Sequence, residues 1–173
     1  MGWPRRCKSG PFGIVHILGD ALHLLTSAFW PGALAPLAAV LFFMLKSSQV
    51  EAIVLAAPLV RRFSASSLIA VAVMALTGLL NGIFMVASFR ALLTSAYGQI
   101  LVSKLILFFA MVGFGAWNLF LLKPRIAVEL PTVNLAQKSA VRLLLRNVLW
   151  EIGLGTLVIL VVGLLGITPP PMR

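Results

Sequence analysis

One cysteine, two histidines and four acidic residues are all that this chain of 173 residues holds of its most reactive side chains. The lone Cys7 excludes an internal disulfide and any metal site built from several thiolates. The four acidic residues provide no carboxylate pair or cluster, which excludes the oxygen cages that hold hard cations and the paired carboxyls of hydrolytic sites. No phosphate-binding glycine loop is present, and no nucleophile stands at helical spacing from a base, so the sequence argues against an enzyme. Charged residues make up only 10% of the chain. Hydrophobic residues make up 61%, and the mean hydropathy of +1.07 is incompatible with a soluble domain whose surface must be mostly polar.

What fills the chain instead is a set of four apolar runs, at about 21–45, 67–87, 100–122 and 148–167. Each has about the 20 residues that an α-helix needs to cross 30 Å of hydrocarbon. Lipid offers the backbone no hydrogen-bond partners, so all four are expected to be helices. The predicted fold is an all-α integral membrane four-helix bundle in the lipid bilayer, a single transmembrane domain over 1–173. Residues 12–20 are expected to form a helical lead-in along the surface, and 49–63, with Pro58, Arg61 and Arg62, an amphipathic stretch on the inner surface.

A net charge of +10 would point to nucleic acid in a soluble protein, but here the basic residues lie between or beside the spans. Topology explains them without a nucleic-acid partner. The loops after spans one and three carry Lys46, Arg61, Arg62, Lys123, Arg125, Lys138, Arg142 and Arg146, against Arg5, Arg6, Lys8, Arg90, Lys104 and Arg173 on the other side. The positive-inside rule then places both termini outside. Gly78 and Gly82 form a small-residue pair that lets a neighbouring helix approach, in this chain or in a second copy.

Polar residues in this background fall into stripes. His16, Asp20, His23 and Trp30, spaced four, three and seven residues apart, project from one face of a helix. Ionisable groups on a lipid-embedded helix are costly, which makes this stripe the leading functional candidate. Imidazole and thioether without paired thiolates suit a copper ion, as Cu(I) or Cu(II). Met85 and Met172, near the outer ends of spans two and four, can join His16 and His23 at the outer mouth, and Asp20 can orient an imidazole or bind metal itself. Met44, Met74 and Met111 are expected to be filler, and Trp30 packing. A second stripe on span three runs Tyr97, Lys104, Met111, Asn118 at intervals of seven. Lys104 is positioned to snorkel or to pair with Asp20. Asn118 is expected to serve as interhelical glue, and Glu151 to anchor the start of span four among Arg142, Arg146 and Arg62, with a proton or metal exit role as the alternative.

Several separated motifs resemble the copper resistance protein D (CopD) family of bacterial inner-membrane proteins. They are DALHLLTSAFWPGALAPLA from Asp20, RRFSASSLIAVAVMALTGLLNG from Arg61, LLTSAYGQILVSKLILFFAMVGFGAWNLFLLKPR ending at Arg125, and LLLRNVLWEIGLGTLVILVVGLLGITPP ending at Pro170. The resemblance implies copper transport across, or copper binding at, the cytoplasmic membrane, beside a periplasmic copper-binding partner. It also implies that His16, Asp20, His23, Trp30, Tyr97, Lys104, Asn118 and Glu151 occupy the family's recurring polar positions. Longer members carry further spans before this region, so the chain is expected to correspond to a shortened form. Two other functions compete. A haem-binding redox bundle would need His23 with Met85 or a second subunit, because both histidines share one helix, and a Soret band would reveal it. A non-catalytic assembly subunit would keep its function without either histidine.

Overall fold

A computed structural model of the chain describes residues 11–46, 56–85, 93–126 and 135–168. These residues form helices throughout: α1 (Pro11–Lys46), α2 (Ala56–Met85), α3 (Ala96–Trp117), a π-helical turn (Asn118–Leu122), a short α4 (Lys123–Ile126) that continues the same rod, and α5 (Leu135–Ile167). Four segments are long and apolar enough to span a membrane: Ile17–Lys46, Pro58–Asn81, Ala96–Ile126 and Lys138–Ile167. The all-α membrane bundle expected from composition is therefore the architecture present.

The helices begin earlier than the apolar runs. Residues 12–20 are no separate lead-in; they are the first turns of the unbroken α1. The inner-surface stretch is corrected too. From Ala56 onward it belongs to α2, and Val60 is buried in the core, while 49–55 lie outside the described residues. Pro58 does not break α2 because it sits in the first turn, whose N–H groups have no intrahelical acceptor to lose. Arg61 and Arg62 stay exposed on the same helix, where long side chains can reach the headgroups. Ser95 starts α3: its hydroxyl accepts the Gly98 N–H at 3.0 Å, satisfying one of the free donors at the helix start.

α1 is the central element, packed along α2 on one side and α5 on the other, with α3 against α5. The core where they meet holds Trp30, Leu34, Leu41, Val141, Leu144 and Val148. The outward faces carry Leu24, Phe43, Ile69, Leu76, Phe109 and Ile159, apolar and exposed as a lipid-facing surface requires. Gly155 brings α5 close to α1. A β-carbon there would stand 3.4 Å from Pro31 Cβ and 3.5 Å from Met111 Cε, ordinary packing distances at the point where three helices meet.

Candidate functional site

The α1 stripe meets α2 at His23. Its Nδ1 lies 3.0 Å from Thr77 Oγ1 and 3.2 Å from the Met74 carbonyl oxygen. Thr77 has a single hydroxyl proton, and the Val73 carbonyl one turn back takes it at 2.8 Å. Both atoms around Nδ1 are thus acceptors. These acceptors favour the tautomer with the ring proton on Nδ1, which leaves the lone pair on Nε2. Gly78 completes the seat, because a β-carbon on it would stand 3.1 Å from His23 Cε1. The Gly78–Gly82 motif therefore has a specific use at its first member, which is room for an imidazole.

One turn along α1, the Ser27 hydroxyl donates to Met74 Sδ at 3.2 Å. Met74 is buried, as expected of filler, but its sulfur and its carbonyl both face polar groups of α1. Asp20, half-exposed one turn before His23, and the partly buried Lys104 of α3 both act electrostatically on the imidazole. The side chains of His16 and Met85, and all of Met172, lie outside the described residues. Along the continuous α1 the seven residues from His16 to His23 rise by about 10.5 Å. Among the described residues, no three His, Cys, Asp or Glu side chains form a cluster able to hold a metal ion.

A second polar centre lies deeper. Asn118, at the first position of the π-helical turn, donates through Nδ2 to Glu151 Oε1 at 2.7 Å and accepts Asn147 Nδ2–H on its own Oδ1 at 2.8 Å. Asn147 and Glu151 are one turn apart on α5, and Glu151 is 2% exposed. Glu151 does not open a span among arginines, as the sequence led us to expect. It lies in the middle of α5, while Arg142 and Arg146 are exposed. The wider helical turn, closed by the Lys123 N–H on the Asn118 carbonyl, positions Asn118 to face α5. Tyr97 and Met111, further along the α3 stripe, are both buried, so the seven-residue spacing does mark an inward face. Trp30 is 3% exposed and meets Phe108 edge-on, with ring centroids 6.3 Å apart. It is packing, and also part of the wall of a cavity between the helices.

Gly78→Ala is expected to lower the melting temperature of the purified protein, and Gly78→Val to lower it further. The imidazole cannot yield without lengthening its bonds to Thr77 and Met74, and overpacking of this kind costs about 1–3 kcal/mol. An unchanged melting curve for both variants would contradict the seat described.

Four apolar helices, with an imidazole held between two of them, define a polytopic membrane protein. The chain belongs to the copper resistance protein D family, whose model matches residues 57–165. It is similar to Copper transport protein CutJ of Bacillus subtilis (strain 168), with 40% identity over 107 residues, 62% of this chain and 19% of that protein. It is also similar to Copper resistance protein D of Pseudomonas syringae pv. tomato, with 32% identity over 162 residues, 91% of this chain and 50% of that protein. The chain thus spans half or less of the length of these curated relatives. No solved structure matches it.

Proposed function

We propose that this chain binds copper at the outer mouth of its bundle and passes it into or across the cytoplasmic membrane. His16, Asp20 and His23 form the entry, with Met85 and Met172 as thioether donors from the neighbouring helix ends. Both termini then face outward, where a periplasmic copper-binding protein can deliver or collect the ion. Copper is cargo here, and the reading rests chiefly on His23, whose proton is held on Nδ1 by two acceptors and whose Nε2 is left to bind. Imidazole and thioether are ligands that copper favours over hard cations. A site of few donors also suits an ion that must leave again.

The two histidines, two turns apart on one rod, act as successive stations. The buried Met74 sulfur beside Ser27 offers the next soft donor inward. Cells expressing the chain should differ in copper accumulation from cells without it, and the His16→Ala/His23→Ala form should abolish that difference. Undiminished accumulation with both histidines gone would favour an assembly role instead.

Thr77→Val is expected to weaken copper binding about tenfold, measured by competition with a chromophoric chelator. Loss of an outer-shell partner costs roughly 10–100-fold, and the Met74 carbonyl still holds Nδ1 in this variant.

A further inference from the structure

Beside Trp30, α1, α2, α5 and the rod of α3 and its π-turn line a cavity of about 170 Å³ that opens outward past Leu68 and Phe120. Its wall is apolar apart from Ser64, Ser67, Asn118 and Glu151. Serines in membrane helices usually return their hydroxyl proton to a carbonyl one turn back. Ser64 does so, to Val60 at 2.7 Å, and Ser66 does so, to Phe63 at 3.0 Å. Ser67 does not: its Oγ is buried without a hydrogen-bond partner. A buried hydroxyl left unpaired costs free energy that water in the cavity would recover, and the volume has room for several water molecules.

Glu151 lines the same cavity. Asn118 reaches its Oε1, and Asn118 is itself aligned by Asn147. Among the described residues, no other titratable side chain forms part of the cavity wall. Arg61 and Arg62 of α2, Arg125 of α4 and Arg142 and Arg146 of α5 are exposed instead. A carboxylate taken out of water with no cation beside it is costly, and a bound proton removes the charge.

From these observations we infer that Glu151 is a proton-exchange site inside the bundle, served by water held between its carboxyl and the Ser67 hydroxyl. In the exchange the carboxyl O–H bond breaks and the proton forms a new O–H bond to cavity water. The carboxylate left behind keeps the Asn118 Nδ2–H as its donor, and Asn147 prevents that amide from turning its oxygen to the charge. Both protonation states of the carboxyl therefore have an accommodating partner. Intramembrane carboxyls of this kind carry protons in pumps and transporters. The site is distinct from the His23 seat, and the inference does not depend on copper.

Infrared difference spectroscopy of the full chain in lipid vesicles, between acidic and alkaline buffer, tests this inference. The chain has only four acidic residues, Asp20, Glu51, Glu129 and Glu151, so a carboxylic C=O band is assignable by substitution. We expect a band that shifts in heavy water and is lost in Glu151→Gln. We also expect Ser67→Ala to move the pH midpoint of that band while the helical circular dichroism is retained. Identical difference spectra for the native chain and a folded Glu151→Gln overturn the inference. If Glu151→Gln does not fold, an unmoved midpoint in Ser67→Ala overturns it. Since no copper is added, failure here leaves the copper reading untouched, and failure of the copper reading leaves the band in place.

Discussion

Replacing His23 with alanine is expected to lower the copper affinity of the purified chain by more than about 100-fold, because 10–100-fold is already the cost of losing an outer-shell partner. The expectation follows from the way the ring is held. Nδ1 is committed as a donor to Thr77 Oγ1 and the Met74 carbonyl, so the ring has one free nitrogen and a fixed orientation. Removing the ring should damage folding little. Thr77 keeps its bond to the Val73 carbonyl at 2.8 Å, and the Met74 carbonyl lies within the backbone ladder of α2, so neither is left without a partner. A melting temperature close to native together with lost affinity is the expected signature, read by thermal denaturation and chelator competition on one preparation. Affinity within about threefold of native would mean that the imidazole orientation serves packing alone.

Asn118→Leu is expected to be among the most destabilising single substitutions in the bundle. It removes the donor to Glu151 Oε1 and the acceptor of Asn147 Nδ2–H together, stranding two buried groups at once. Each unsatisfied buried group costs about 1–3 kcal/mol, more where it is charged. The double variant Asn118→Leu/Glu151→Leu should be more stable than Asn118→Leu alone, because an apolar replacement of both partners removes the desolvated carboxyl as well. Melting temperatures of the two single variants and the double variant form a cycle that measures the coupling. A double variant less stable than Asn118→Leu would show that the carboxyl stabilises the core by some other contact.

The helices were legible in the sequence because lipid admits few backbone structures, and apolar length alone selects among them. Span ends were harder to place. Pro58, Arg61 and Arg62 look like a helix break and a surface segment, yet a proline is harmless in a first turn and arginine stems can run along an apolar surface. The stripes of α1 and α3 were visible through their spacing, which is local information. Their partners were not, because His23 with Thr77 and Asn118 with Glu151 are separated by 54 and 33 residues, and only packing brings them together. In sequence, Thr77 and Ser27 look like ordinary helix hydroxyls, and Met74 like filler. A signal was present in the way Met74, Thr77 and Gly78 share one face of α2, with a small residue where a ring must fit. Arginines near Glu151 in sequence suggest a salt bridge, whereas α5 turns Arg142 and Arg146 outward and buries Glu151. The π-helical turn that positions Asn118 leaves no mark in the apolar run NLFLL.

X-ray absorption at the copper edge, on the purified chain loaded with one equivalent of copper, tests the central claim most directly. The account predicts imidazole scattering in the native spectrum, and loss of both that scattering and the bound copper in His16→Ala/His23→Ala. Copper retained by the double variant with an unchanged spectrum would contradict it.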